Sequence, residues 1–484
     1  MTTTGGADPA ARVSTFPAGF LWGAATSAYQ IEGAVDADGR GPSVWDTFCH
    51  TPGKIAGGET GDVACDFYNR YEEDLDLLAS LGLNAFRFSV AWPRVQPTGR
   101  GPANQAGLDF YRALVDGLAS RGITPAITLH HWDLPQALED DGGWAKRDTA
   151  ERFADYTRLV AEAIGDAGGL WITLNEPQQV ANQGYRVGTH APGHRDNSLA
   201  AAATHHLLLA HGLALQVLRE ALPTDARVGI SIDIHPVRAI GEDASAGAAI
   251  IDAEQNRVFF DPVLHGHYPR LAREHILPPR TLIEPGDMKL ISAPIDFIGI
   301  NYYNPHYVRA SGAANGEPAP GAVPGVVDFT PPDLPQTSMG WAIEPDGLLD
   351  TLVAVNDETP DSLALYVTEN GCAAADGIGP DGGVDDAERV SYLYAHLAAV
   401  QRAIRRGVPL AGYFVWSLLD NFEWAWGYDK RFGLVFVDFE TQRRTAKRSA
   451  SFYRQVALAN ALPSRAPVTT AADGVAEPAT AEAG

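Results

Sequence analysis

Eight short apolar runs rich in Val, Ile and Phe recur from about residue 19 to residue 455, and helical patterns separate them. They are Phe20 to Ala25, Ala85 to Val90, Thr124 to Leu129, Trp171 to Leu174, Val228 to Ile232, Phe297 to Ile300, Leu365 to Thr368 and Gly412 to Trp416. A strand covered on both faces reads as a near-continuous apolar run, so the alternation describes βα units around a parallel sheet. Between the runs, Tyr71, Leu75 and Leu78 share one face of a helical stretch from Arg70 to Ser80, and Ala200 to Leu218 carries a long Ala/Leu/His face. Eight such units predict a single α/β domain, a (β/α)8 TIM barrel with long βα loops at the catalytic face, whose site is built at the C-terminal ends of the strands.

Two stretches leave the repeat. Pro305 to Ser338 is rich in Gly and Pro and too long for an ordinary connection, which predicts a functional loop beside the barrel mouth. Pro463 to Gly484 is rich in Ala, Thr, Pro and Glu and lacks periodicity. The expected division is therefore a flexible N-terminus over 1–15, a catalytic barrel over 16–462 and a disordered tail over 463–484.

Charge excludes several classes of partner. A formal net charge of -24 over 484 residues repels phosphate backbones and anionic membranes, which argues against nucleic acid and membrane surfaces. Met1 to Ser14 lacks a basic start and an apolar core of signal-peptide length, and no apolar run approaches the ~18 residues of a membrane span. Cys49, Cys65 and Cys372 are too few and too scattered for a disulfide framework. A cytoplasmic location is expected.

Two glutamates stand in sharply defined settings, Glu176 in Thr173-Leu174-Asn175-Glu176-Pro177 and Glu369 in Val367-Thr368-Glu369-Asn370-Gly371. Each follows a strand and each is closed by a residue that stops it. Pro177 is expected to hold Glu176 extended. A period of two puts Leu365, Val367 and Glu369 on one side of their strand, with Gly371 allowing a tight exit. Two carboxylates meeting across a pocket are the equipment for cleaving a glycosidic bond. The bland alternative is a pair of strand-end glutamates satisfied by arginines such as Arg87.

Other chemistries find little support. His130 and His131 are neighbours on a strand, so they face opposite ways and do not share one metal ion. No Cys-x-x-Cys, His-Glu-x-x-His or EF-hand pattern occurs, and His205, His206 and His211 read as a solvated or half-buried helix face. No metal and no cofactor is expected. Gly57-Gly58 and Gly382-Gly383 read as turns, and no Gly-x-Ser-x-Gly elbow exists. Trp416, Phe422, Trp424 and Trp426 can all be core aromatics, a reading adopted for Phe422 and left open for Trp426.

The two glutamate motifs resemble the acid/base and nucleophile signatures of glycoside hydrolase family 1, the retaining β-glucosidases and their relatives. Phe20-Leu21-Trp22-Gly23-Ala24-Ala25-Thr26-Ser27-Ala28-Tyr29-Gln30-Ile31-Glu32-Gly33 resembles the family's N-terminal signature. Phe86-Arg87-Phe88-Ser89, His131-Trp132-Asp133-Leu134-Pro135, Asn301-Tyr302-Tyr303 and Trp416-Ser417-Leu418-Leu419-Asp420-Asn421-Phe422-Glu423-Trp424 follow in the family's order, so the resemblance runs from about Phe16 to Tyr453. It implies Glu369 as nucleophile and Glu176 as general acid, then base. It further implies that Gln30, His131, Asn175, Glu423 and Trp424 hydrogen-bond the nonreducing sugar, with Trp416 as its stacking floor and Trp132, Asn301 and Trp341 also at the substrate. Arg87 and Tyr303 would sit against Glu369 and keep it ionised, while burial and negative charge raise Glu176.

The implied activity is hydrolysis of terminal β-D-glucosyl residues by double displacement, with β-galactosidase and β-fucosidase side activity. The substrates would be small β-glucosides or cello-oligosaccharides, and the oligomeric state is open, a homo-oligomer being allowed. Glu423-Trp424 argues against a 6-phospho-β-glycosidase, because an ionised Glu423 would face the phosphate with like charge. Both carboxylates are kept, which argues against a noncatalytic relative and, through Glu176, against a myrosinase-like enzyme. After Pro177 the run Gln178-Gln179-Val180-Ala181-Asn182-Gln183-Gly184-Tyr185 departs from the aromatic or cysteine common in the family, which puts the leaving-group preference in doubt.

Overall fold

A computed structural model describes residues 15–277, 282–311, 323 and 325–465. The expected flexible N-terminus before residue 15 and the expected tail beyond residue 465 lie outside the described residues.

The eight expected runs form eight strands, β1 (Leu21–Ala25), β2 (Ala85–Ser89), β3 (Thr124–Thr128), β4 (Leu170–Asn175), β5 (Arg227–Asp233), β6 (Phe297–Asn301), β7 (Ala364–Asn370) and β8 (Leu410–Trp416). They close into a barrel in the order β1-β8-β7-β6-β5-β4-β3-β2, and every neighbouring pair is parallel. Inside the barrel, Ala25, Ala126, Ile172, Phe297, Tyr366 and Phe414 form a cluster separate from the large core under the helices. Small residues opposite large ones fill the lumen. A Cβ on Gly23 would lie 2.2 Å from the Phe414 ring, so only glycine leaves that ring its place.

Strand parity breaks where the glutamates leave the sheet. Leu365 and Val367 pack in the outer core and Tyr366 in the lumen, yet Glu369 turns inward, so the three do not share one side as expected. The cause is a register shift between Val367 and Glu369 against β6, a bulge that re-aims one side chain. A similar shift between Ile172 and Asn175 lets both residues face the lumen from β4.

Glu176 is not extended either. It has φ 45° and ψ 63° in the left-handed region, and the chain enters a helical turn at once, Pro177–Gln179. Pro177 acts there as a first helical residue, which its fixed φ suits, and the strain falls on the residue before it.

The helix Asn197–Ala221 corrects two further expectations. His205, His206 and His211 are buried on it, because neighbouring elements give each a hydrogen-bond partner: Tyr268 and Asp287 face His205, the Trp144 carbonyl faces His206 and Thr173 faces His211. By length and composition the helix is also long and apolar enough to cross a membrane, although 83% of that apolar stretch is buried within the fold.

The stretch after Pro305 is more ordered than a loop. His306–Ala310 is the central strand of a three-stranded sheet, between Val237–Ile240 on one side and Val326–Asp328 on the other. Residues 312–322 and 324 are outside the described set. The sheet stands at the mouth of the barrel, where His306 and Asp328 line the cavity.

Candidate active site

The C-terminal strand ends surround a cavity of about 360 Å³, a volume suited to a small ligand. Glu176 reaches it from the end of β4, Asp233 from β5, Glu369 from β7 and Trp416 from β8. His131 and Trp132 come from the loop after β3, Tyr303 from just beyond β6, Trp341 from the segment before the helix Pro345–Glu358, and Glu423 and Trp424 from the loop after β8. Gln30, Arg87, Asn175 and Asn301 form a buried layer behind these walls.

Glu369 is held at both oxygens. Arg87 donates from Nη1 to Oε1 at 2.6 Å, and the Tyr303 hydroxyl donates to Oε2 at 2.7 Å. Three further bonds hold Arg87 in place, to the Thr368 carbonyl, Asn175 Oδ1 and Thr128 Oγ1. Burial pushes the Glu369 carboxyl above its usual range, and the guanidinium and the phenol pull it back.

Among the described residues, Glu176 has no cation in hydrogen-bond contact. Its Oε1 accepts from Asn301 Nδ2 at 2.6 Å. Burial pushes it well above the usual carboxylate range, and the charges of Asp233 and Glu369 add to that. Of the two buried carboxylates, Glu176 is the one set to hold a proton and Glu369 the one set to lose it.

Hydrogen-bonding groups cover the far wall. Asn175 Nδ2 donates to His131 Nε2 at 3.1 Å, so His131 carries its proton on Nδ1, which has no partner among the described residues. Burial pushes His131 well below the usual histidine range, so it stays neutral. Gln30 is fixed by Ser27, Asn421 and the Phe422 carbonyl, and its Nε2 lies 3.5 Å from Glu423 Oε2. Burial, then the Glu369 charge, raises Glu423 to about 8.

Aromatic rings complete the enclosure. Trp416 is stacked against His131 with centroids 5.8 Å apart, Trp132 lies against Trp424 at 4.5 Å, and Trp341 packs on Tyr303 at 5.5 Å. Phe422 is a core residue, whereas Trp426 lines the rim and is 48% exposed. His130 points away from the cavity, with its ring against Trp144 and Phe153. Near the surface, Asp261, His265 and Glu358 come together, but the Arg257 guanidinium pairs with both carboxylates.

The cavity therefore gathers every residue given a catalytic or sugar-binding role from the sequence, on its surface or directly behind it. Gln178, Gln179 and Gln183 line it from the run after Pro177 that the sequence linked to the leaving group. Several others were missed: Asp233, His235 and His190 also line it. Asp233 is the next residue after the run Val228 to Ile232, and the rule that barrel sites lie at strand C-termini would have marked it.

Residues 12–462 match the family described as Glycosyl hydrolase family 1. The 1,4-beta-D-glucan glucohydrolase of Thermotoga neapolitana is 46% identical, over 92% of this chain and 99% of the relative. The bifunctional beta-D-glucosidase/beta-D-fucosidase of Bifidobacterium breve is 47% identical, over 91% of this chain and 97% of the relative. Among solved structures, the beta-glucosidase from Thermotoga maritima in complex with noeuromycin superposes with a TM-score of 0.87 at 46% identity, covering 93% of this chain and 100% of the other. With the barrel, the paired carboxylates and relatives matched almost end to end, the chain belongs to glycosyl hydrolase family 1.

Proposed function

We propose that the chain is a retaining β-glucosidase that releases terminal nonreducing β-D-glucosyl residues. The observation that carries this reading is the unequal setting of two buried cavity carboxylates, Glu369 on a guanidinium and a phenol, Glu176 on a neutral amide beside a negative charge. Glu369 attacks the anomeric carbon while Glu176 gives its proton to the glycosidic oxygen, and the alcohol departs as that bond breaks. Glu176, now ionised, takes a proton from water; the hydroxide attacks the same carbon, Glu369 leaves, and the sugar is freed with its β configuration.

The neutral wall supports a hydroxyl-rich ligand. His131 Nδ1–H is a donor, Glu423 and Gln30 offer acceptors and donors, and Trp416 offers an apolar face. Gln30, His131, Asn175, Glu423 and Trp424 hold the sugar hydroxyls in this reading, with Trp132, Asn301, Trp341 and Trp416 around them. The name of the Thermotoga neapolitana relative supports cello-oligosaccharides as substrates, and that of the Bifidobacterium breve relative supports side activity on β-fucosides. Three free, buried cysteines suit the reducing cytoplasm.

Proton NMR of the first-formed sugar tests the mechanism. 4-Nitrophenyl β-glucoside should give β-glucose first, with the α anomer appearing only by mutarotation. Initial release of the α anomer would make the enzyme inverting.

A further inference from the structure

Asp233 and His235 form a pair that the roles above leave unused. Asp233 ends β5 opposite Asn301 in the ladder with β6, and Asn301 is the residue whose amide holds Glu176. Asp233 also anchors the turn that carries Glu176: its carbonyl accepts from Gln178 Nε2 at 2.5 Å and its Oδ2 from Gln179 Nε2 at 3.0 Å. Behind it, His235 Nε2 stands 2.7 Å from the same Oδ2, and His235 Nδ1 stands 2.5 Å from the Asn304 carbonyl. Both ring nitrogens thus face acceptors, which a neutral imidazole cannot satisfy while Asp233 is ionised. Asp233 and His235 are both buried, so their charges act through little solvent.

We propose that Asp233 is a positioning residue that keeps the proton on Glu176 until the substrate takes it, and that His235, as an imidazolium, limits the strength of that effect. The inference rests on the proposed acid role of Glu176. After burial, the Asp233 charge is the largest influence raising Glu176, ahead of Glu369, with Arg87 acting in the opposite sense. Burial alone would lower His235, but the Asp233 charge, its hydrogen bond and the Asn304 carbonyl raise it on balance, and Asp328 adds to this from the neighbouring sheet. The His306 ring lies 4.7 Å from His235.

The pair predicts opposite shifts from two substitutions. Asp233→Asn keeps the shape and removes the negative charge, so Glu176 should ionise more easily. The alkaline limb of kcat/KM on cellobiose should move to lower pH by at least half a unit. His235→Gln keeps a donor toward Asp233 and removes the positive charge, so the same limb should move to higher pH. A merely structural role would lower activity in both variants while leaving the limb in place or moving it the same way in both.

Each variant decides on its own if the other fails to fold, because each has a stated direction. A limb that stays put, or moves the wrong way, in a folded variant overturns the proposal. Wild-type protein that hydrolyses no β-glucoside would instead sink the proposed function, which separates the two failures.

Discussion

The Arg87 guanidinium bonds Glu369 Oε1 at 2.6 Å and, through Nη2, bonds Asn175 Oδ1 at the same distance. That Asn175 oxygen also accepts from Asn301 Nδ2 at 3.0 Å, and Asn301 Nδ2 donates to Glu176. One buried chain of hydrogen bonds therefore joins the two carboxylates. Their protonation is coupled, and the acidic and alkaline limbs of a pH profile belong to the pair.

Replacing Arg87 by Met should raise the acidic limb. The guanidinium lowers Glu369, so its loss leaves burial unopposed except by Tyr303, and the attacking carboxylate ionises only at higher pH. Breaking a buried pair also costs roughly 3–5 kcal/mol. A carboxyl whose folded pKa lies above its unfolded value destabilises increasingly as pH rises past the unfolded value, so the loss should be larger at pH 8 than at pH 5. Urea unfolding at both pH values reads the difference, and an equal or smaller loss at pH 8 would contradict it.

Glu369→Ala should nearly abolish turnover, and added azide should restore part of it as an α-glycosyl azide, since the small anion enters where the carboxylate stood. Glu176→Ala should cost about 10²–10⁴-fold on cellobiose and far less on 2,4-dinitrophenyl β-glucoside, whose leaving group needs no acid. Equal losses on the two substrates would remove Glu176 from the acid role.

The barrel was legible because its strands are buried on both faces and so read as uninterrupted apolar runs, and because the motifs lie at their ends. What escaped was set by neighbours distant in sequence. The bulge that turns Glu369 inward exists only in the register between β7 and β6, so a count of two along one strand could not find it. The left-handed backbone at Glu176 follows from a helix beginning at Pro177, which the usual preference before proline concealed. Buried histidines looked polar until Asp287, Tyr268, Trp144 and Thr173 arrived as partners.

Lys447 makes a similar long-range contact with consequences for the site. Its ammonium is buried between Asp376 and Asp420, and Asp420 also holds Gly433 N and the Arg431 guanidinium. Asp420 lies in the loop that leads from β8 to Glu423 and Trp424. Lys447→Met should therefore destabilise by roughly 3–5 kcal/mol, leaving two carboxylates short of a buried cation. It should also raise KM for cellobiose, because the loop loses its anchor. A variant with wild-type stability and KM would show the lysine to be dispensable to both.

The rejection of phosphorylated sugars should depend on pH, because Glu423 is not ionised throughout the neutral range as its sequence context suggests. Burial and the Glu369 charge hold it at about 8, so near pH 6 it is mostly a neutral acid, able to donate as well as accept. A sugar phosphate takes its second charge near pH ~6. At an effective dielectric of about 20, a carboxylate and one phosphate charge ~4 Å apart repel by ~4 kcal/mol, but only once Glu423 has lost its proton. The phosphate itself pushes Glu423 toward the acid form, which keeps the observed change below that limit. The ratio of kcat/KM for 4-nitrophenyl β-glucoside to that for its 6-phosphate should therefore climb by about tenfold from pH 6 to pH 9, a comparison in which the shared catalytic pH dependence cancels. Glu423→Gln, neutral at every pH, should flatten the climb and leave the ratio near its low-pH value. A wild-type ratio that stays constant over this range would mean that Glu423 does not meet the sugar's sixth position, and the discrimination would have to lie elsewhere in the cavity.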